Sequence, residues 1–202
     1  MRKEAEWRGS PTATSRREFN RLLKIIRPRN DDVFYDLGCG YGGPCIWIAP
    51  KVKLAIGIEE HYYRYLRAKQ EVKKSGMNNV IIIRGDILDQ SYHDATIVFS
   101  VISVGFQMIS RIQNQAKRGT TIILYGLPPY PIKTKKLFQG YVIMKTPIER
   151  VSNEDDFART VLESRNAKIE DLMETLDKDQ KRDLEREIED AECNWKSLTN
   201  RS

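Results

Sequence analysis

Residues 33–43 read Val-Phe-Tyr-Asp-Leu-Gly-Cys-Gly-Tyr-Gly-Gly, an apolar strand that runs into an acid and then a glycine-rich turn. The residues from Pro44 to Ala49 can open a helix behind that turn. A strand, a glycine-rich turn and a helix in this order are how α/β folds bring their backbone close to a nucleotide-like ligand. The stretch therefore predicts a Rossmann-like unit with a ligand at its turn.

The turn is compatible with two classes of cofactor, because Gly38, Gly40 and Gly43 also fit the dinucleotide pattern G-x-G-x-x-G. A dinucleotide places its diphosphate against the turn and the helix N-terminus behind it. The carboxylate of Asp36, two residues before the first glycine, would repel a diphosphate. It suits a ligand that carries an ammonium or sulfonium group there, and this favours S-adenosylmethionine.

Two further acids stand where later strands are expected to end. The stretch 53–58 is typical of a second strand, and Glu59 follows it, 21 residues after Gly38. About 20 residues are expected before an acid that accepts hydrogen bonds from ribose hydroxyls. A third strand over 80–84 leads to Asp86, whose carboxylate can accept from the exocyclic amine of adenine. Parallel strands bring all three acids to one edge of the sheet, where such folds bind ligands.

The rest of the first 151 residues alternates strand and helix patterns. An amphipathic helix is predicted over 14–27, with Ser15 and Glu18 as its capping box. Further strands are expected over 95–101, 120–125 and 141–146, with a helix over 106–117. We expect the last strand to be antiparallel at the sheet edge. Such alternation predicts an α/β, Rossmann-like class I methyltransferase fold, with a mostly parallel seven-strand sheet and helices on both faces.

Residues 152–202 differ from the rest of the chain in charge. They hold nine Lys/Arg and fifteen Asp/Glu, whereas residues 1–151 hold 25 Lys/Arg and 13 Asp/Glu. The stretch 153–199 lacks Gly and Pro and has apolar residues at near-helical intervals, which predicts an acidic α-helical extension of one helix or two. It would pack on the methyltransferase domain (1–151) or self-associate. The basic body indicates an acidic partner, which could be nucleic acid, an acidic protein surface or the chain's own acidic extension, or simply a solvated surface.

Composition excludes other classes of protein. No stretch approaches the roughly 18 apolar residues of a membrane span. The first seven residues contain no apolar signal region, so we expect a cytoplasmic protein. Cys39, Cys45 and Cys193 lack metal-ligand spacing and suit a reducing compartment, and no metal site is expected. We interpret Cys39 as a small filler residue in the turn.

The segment Leu127-Pro128-Pro129-Tyr130 invites comparison with the Asn-Pro-Pro-Tyr motif of amino-group methylating DNA enzymes. That motif needs a side-chain amide where Leu127 stands, and it follows the fourth strand, whereas this segment follows the fifth. After the fourth strand the chain has Ser100-Val101-Ile102-Ser103, which offers no amide or acid to hold a nucleobase amine. DNA amino methylation is therefore disfavoured.

Residues 31–40 (Asp-Asp-Val-Phe-Tyr-Asp-Leu-Gly-Cys-Gly) and 55–59 (Ala-Ile-Gly-Ile-Glu) resemble the small archaeal protein lysine methyltransferases. These belong with the disruptor-of-telomeric-silencing histone methyltransferases, which use a seven-strand Rossmann-like domain rather than a SET domain. The resemblance covers about residues 12–147. It includes Thr14, which matches a threonine in a loop that the family folds near the cofactor, and it places 127–130 in a substrate-side loop.

Motifs and resemblance together name the residues that we expect to bind S-adenosylmethionine: Thr14, Tyr35, Asp36, Gly38, Gly40, Gly42, Glu59, Asp86 and Ser100. We assign no catalytic residue, because in-line methyl transfer from a sulfonium needs alignment in a water-poor channel rather than a protein nucleophile. Four aromatic residues are candidates to line that channel: Tyr35, Phe106, Tyr125 and Tyr130.

The resemblance implies a protein lysine as the methyl acceptor, but it has departures. The family usually has Asp-Gly-Arg where residues 41–43 read Tyr-Gly-Gly, and the extension at 152–202 lies outside its pattern. The basic body and the basic N-terminal helix make an RNA methyltransferase the alternative. A small-molecule methyltransferase is a further alternative. So is a non-catalytic cofactor-binding scaffold, whose extension would recruit a partner.

Overall fold

The computed structural model describes residues 14–102, 104–126, 136–138 and 140–149. In these ranges helices and strands alternate, as the sequence predicts. The elements are α1 (Arg16–Ile26), β1 (Val33–Leu37), α2 (Gly43–Ile48), β2 (Leu54–Glu59), α3 (Tyr62–Ser75), β3 (Val80–Arg84), β4 (Ile97–Ser100), α4 (Phe106–Gln115), β5 (Thr121–Tyr125), β6 (Lys136–Phe138) and β7 (Tyr141–Lys145).

The strands form a single seven-stranded sheet in the order β3-β2-β1-β4-β5-β7-β6. Strands β1 to β5 pair in parallel, and β7 lies antiparallel between β5 and β6. The expected mostly parallel Rossmann-like sheet is confirmed. The expectation that the last strand forms the sheet edge is wrong, because β6 pairs with its outer side. With only three residues, β6 is too short to produce a recognisable apolar pattern.

The N-terminal helix is capped as its sequence predicts. The Ser15 side chain accepts a hydrogen bond from the Glu18 N–H at 3.2 Å, and the Glu18 carboxylate accepts from the Ser15 N–H at 2.8 Å. This capping box satisfies two backbone donors that have no partner inside the helix. The helix ends at Ile26, and its C-cap Arg27 adopts a left-handed conformation with φ of 50°. The start of α1 therefore follows from local sequence.

Apolar side chains cover both faces of the sheet. On one face Phe19 of α1 places its ring 6.1 Å from Phe34 and 5.3 Å from Phe99, edge to face. Helix α2 packs on the same face, and α3 lies beside α2. Helix α4 covers the opposite face through Ile109 and Ile112. Complete burial of one such side chain contributes about 1.5–3 kcal/mol, so packing on both faces is what stabilises the sheet.

Among the connections that join the parallel strands β1 to β5, the one between β3 and β4 contains a 3-10 turn, Ile87–Asp89, instead of an α-helix. On the face of the sheet that α4 covers, Ile81 of β3 remains 48% exposed.

Two predicted features, the loop at 127–130 and the extension at 152–202, lie outside the described residues. Within the described ranges, no helix is both long enough and apolar enough to cross a bilayer.

Candidate cofactor-binding site

The glycine-rich turn lies between the end of β1 and the start of α2, at the carboxyl edge of the sheet. Gly38, Gly40 and Gly42 have φ values of 76°, 56° and 79°, a region that glycine adopts without steric cost. The Gly38 and Cys39 amides both donate to the Ile58 carbonyl at 2.9 Å, which ties the turn to the end of β2. The backbone of the turn is thereby held open beside the sheet edge, where a ligand can approach it closely.

A glycine in β2 makes room for the turn. A Cβ at Gly57 would lie 2.7 Å from the Cys39 sulfur and 2.9 Å from Ile82. Cys39 itself is buried, and burial raises the pKa of its thiol, which keeps it protonated and unreactive. The interpretation of Cys39 as a filler residue agrees with this environment. Sequence analysis missed Gly57, although a glycine inside an apolar strand signals a close backbone approach.

Glu59, the last residue of β2, is held between the turn and α3. One carboxylate oxygen accepts from the Gly40 N–H at 2.9 Å, and the other accepts from the His61 N–H at 2.9 Å. The Arg64 guanidinium lies 3.5 Å from the second oxygen. These contacts orient a side chain that is only 4% exposed. Because a carboxylate has about four acceptor positions, at least one remains for a ribose hydroxyl.

Asp36, near the end of β1, has a buried carboxyl group that accepts a hydrogen bond from a weak donor. It is 1% exposed, and its partner within the described residues is the Cys45 thiol, whose sulfur lies 3.9 Å from Oδ2. Burial raises the pKa of Asp36 to about 8. The thiol hydrogen bond opposes this shift, and the Glu59 charge adds to it. A cationic ligand group beside Asp36 would favour its ionised form, so this site is suited to an ammonium or a sulfonium.

Two further predicted residues, Asp86 and Ser100, reach the same edge of the sheet in different environments. Asp86 is exposed and accepts from the Leu88 N–H at 2.8 Å, which leaves acceptor capacity on its carboxylate. Ser100 is fully buried, with its hydroxyl 3.2 Å from the Leu37 carbonyl and 3.1 Å from the Ile102 carbonyl. The Ser100 hydroxyl therefore connects β4 to β1 and to the loop that follows β4.

Thr14 is also brought to this edge, through a residue that sequence analysis missed. Its hydroxyl lies 3.0 Å from the hydroxyl of Tyr141, the first residue of β7. Tyr141 pairs with Tyr125, the last residue of β5, and the two rings lie 5.1 Å apart in an edge-to-face contact. Burial raises the pKa of Tyr141, so its hydroxyl stays protonated and available for hydrogen bonding. No local signal marked Tyr141, because its position depends on the pairing of distant strands.

Tyr35 lies apart from the site, and the prediction that its side chain binds cofactor or lines a channel is wrong. Its ring packs 5.2 Å from Tyr92 on the α4 face, and its hydroxyl donates to Asp94 at 2.8 Å. Asp94 precedes β4, at the amino edge of the sheet. Successive side chains of a strand point to opposite faces, so Tyr35 and Asp36 diverge.

Among the other channel candidates, Tyr125 lies at the carboxyl edge, with the Tyr141 ring beside it. Tyr130 is outside the described residues, and Phe106 is described only as the first backbone position of α4. The described residues contain no group of His, Cys, Asp or Glu side chains that could hold a metal ion. The site thus combines an open glycine turn, three acids and an aromatic pair.

Comparison with known proteins finds relatives among methyltransferases. The chain is 30% identical over 115 residues to a protein-lysine N-methyltransferase of Saccharolobus islandicus (strain REY15A), a match that covers 54% of this chain and 71% of that protein. It is 37% identical over 76 residues to an uncharacterised RNA methyltransferase of Protochlamydia amoebophila (strain UWE25), covering 38% of this chain and 17% of that protein. No family model matches the chain.

Solved structures share the same architecture. An RNA methyltransferase from Salinibacter ruber, in complex with S-adenosyl-L-homocysteine, superposes with a TM-score of 0.60 at 23% identity, over 70% of this chain and 97% of that one. This likeness confirms the predicted Rossmann-like class I methyltransferase fold.

Proposed function

We propose that this chain methylates the side-chain amine of lysine residues in proteins. The chain belongs to the same family as the Saccharolobus islandicus protein-lysine N-methyltransferase. The chain is an S-adenosylmethionine-dependent class I methyltransferase. The identity to that relative over most of its length is the observation that carries the lysine acceptor. Within this family we place the chain with the non-SET enzymes that resemble the disruptor-of-telomeric-silencing class.

The three acids at the carboxyl edge support a specific arrangement of the cofactor. Asp36 would face the cationic methionine portion, because its buried carboxyl group has only a thiol donor within the described residues. Glu59 would accept from the ribose hydroxyls, and Asp86 from the adenine amine. The open turn between Gly38 and Gly42 would let the backbone approach the ligand.

The reaction requires the lysine to be a neutral amine. Its lone pair attacks the methyl carbon, the carbon–sulfur bond breaks, and sulfur keeps the electron pair as S-adenosylhomocysteine. Desolvation and the adjacent positive charge both lower the pKa of the lysine ammonium, so its proton can leave to solvent before transfer. Tyr125, supported from behind by the buried Tyr141 ring, lies at the edge where the acceptor would enter, and aromatic faces exclude water and attract a cationic head group.

RNA methylation is the second candidate. It is favoured by the similarity to RNA methyltransferases of Protochlamydia amoebophila and Salinibacter ruber. The buried Asp36 and Glu59 do not discriminate between the two acceptors, because both reactions use the same methyl donor. The identity of the acceptor therefore has to be tested directly.

The test is methyl transfer from tritiated S-adenosylmethionine into cell lysate fractions. We place the reaction in the cytosol, since the described cysteines are free thiols, so the soluble cytosolic fraction is assayed first. Lysine methylation predicts label that protease releases, that resists ribonuclease, and that co-migrates with methyl-lysine after hydrolysis. Label found only in ribonuclease-sensitive material would overturn the lysine proposal. Glu59→Ala serves as the control that lacks the proposed cofactor contact.

A further inference from the structure

The face of the domain that carries α1, α2 and α3 concentrates positive charge. Helix α1 has four basic residues and one acidic residue, and α3 has five basic residues and one acidic residue. Helix α4, on the opposite face, has a single basic residue. Helix α2 contacts both α1 and α3, so the two basic helices flank it on one side of the sheet. Charge of one sign concentrated on one face is the electrostatic footprint of a polyanion site.

Helix α3 is also largely unburied and presents aromatic rings. Ala68 is the one buried residue among its 14. Tyr62 and Tyr63 are 46% and 61% exposed, and Tyr41 in the glycine turn is 51% exposed. These three residues form what we call the tyrosine patch. Glu59 accepts from the Gly40 N–H in the turn and from the His61 N–H just before α3, so the segments that carry Tyr41 and Tyr62 are anchored to the same carboxylate beside the cofactor site.

A cation lies against one of these rings, because the Arg84 guanidinium is 4.9 Å from the centre of the Tyr62 ring. Lys69 and Lys73 follow on the exposed side of α3, one helical turn apart. The surface thus alternates groups that stack on planar rings with groups that pair with anions.

We propose that this face binds a single-stranded nucleic acid, whichever acceptor the enzyme methylates. Unpaired bases stack on exposed tyrosines, and phosphates pair with lysine and arginine, so both features of the face are used at once. An acidic polypeptide would pair with the cations but would leave the tyrosines without stacking partners. A duplex hides its base faces, so it matches the tyrosine patch less well than a single strand.

The aromatic half of the proposal is tested by fluorescence anisotropy with a labelled oligouridylate of about 20 nucleotides and the full-length protein. Tyr63→Ala is expected to weaken binding by roughly 5- to 150-fold, the usual effect of losing one stacked base. Tyr63→Phe keeps the ring and should bind as the wild type does. Ile81→Ala, an exposed apolar position on the opposite face, is the matched control and should also be unchanged.

The charged half is tested by the salt dependence of the same binding. Each phosphate contact contributes about 0.7 to the slope of log affinity against log salt for a single strand. The double variant Lys69→Gln and Lys73→Gln should therefore lower the slope by about 1.4. Lys117→Gln with Arg118→Gln removes two exposed charges in the loop that enters β5 and should leave the slope unchanged.

The proposal is overturned if the wild type does not bind the oligonucleotide at low salt, or if Tyr63→Ala and the Lys69 and Lys73 double variant bind like the wild type. It is also overturned if polyglutamate displaces the oligonucleotide at equal charge concentration, because the face would then be a site for acidic polypeptides. S-adenosylmethionine affinity and lysine methylation are measured separately on each variant. A failure here is therefore distinguishable from a failure of lysine methylation.

Discussion

The carboxylate of Glu59 has two roles that a pair of substitutions can separate. It is expected to bind the ribose of the cofactor, and it holds the Gly40 and His61 amides in place. Glu59→Gln keeps the size of the side chain but removes its charge, whereas Glu59→Ala removes every acceptor. The neighbouring acid Glu60 is exposed, so Glu60→Ala is a matched control that changes net charge without touching either amide.

The contacts of Glu59 set the size of the expected effects. An amide group at this position can accept from only one of the two backbone donors, so Glu59→Gln leaves one N–H unpaired. An unpaired buried donor lowers the free energy of unfolding by about 1–3 kcal/mol, and Glu59→Ala should cost more because both donors lose their acceptor. Loss of charge-assisted hydrogen bonds to ribose is worth about 1.5–3 kcal/mol, so cofactor affinity should fall roughly 10- to 150-fold.

Calorimetric titration with S-adenosylmethionine and S-adenosylhomocysteine, together with urea unfolding, measures both effects. The two ligands share the same ribose and differ at sulfur, so Glu59→Ala should weaken them by the same factor. A folded Glu59→Ala variant whose affinity stays within about twofold of the wild type would remove Glu59 from the site. An equal loss in Glu60→Ala would show that net charge, rather than the ribose contact, is responsible.

Three further predictions follow from the same site. S-adenosylmethionine affinity should rise between pH 6 and 8 and level off above. The reason is that Asp36, with its pKa of about 8, ionises over this range and so gains the negative charge that attracts the cationic ligand. Calorimetry on Asp36→Asn should show no such rise. The raised native pKa of Asp36 also means that the native state holds a proton the unfolded state releases, so the free energy of unfolding should fall from about pH 4 to 8, and chemical denaturation should show a smaller fall in Asp36→Asn. Gly57→Ala should lower the unfolding free energy by about 1–3 kcal/mol in urea titrations, since its methyl group overlaps Cys39, and an unchanged midpoint would contradict that packing.

Some helix and strand boundaries could be predicted from residues that are close together in the sequence. The capping box of Ser15 and Glu18 placed the start of α1, and the β-branched run over Val80–Arg84 predicted β3 with its observed bounds. The position of β7 between β5 and β6 could not be predicted in this way. It depends on which strand hydrogen-bonds to the outer side of β7, and that pairing leaves no pattern in either segment.

The residues of the candidate site show the same difference between what local sequence predicts and what depends on the folded structure. Asp36, Glu59 and Asp86 follow directly from strand ends and spacing, because parallel strands put their carboxyl ends on one edge. Tyr35 was misassigned because the pleat of β1 sends its side chain to the other face, toward Asp94. Tyr141 was missed because it meets Thr14 across 127 residues of chain.

The sequence by itself determined the sheet type, the glycine turn and the three acids, since each depends on residues adjacent in the chain or on a fixed spacing between strand ends. Only the tertiary structure decided what surrounds them. Burial with a weak thiol donor raises the pKa of Asp36, two amides from different segments converge on Glu59, and Gly57 gives the turn its space. Those properties arise from desolvation and from contacts between distant segments, which exist only once the chain has folded.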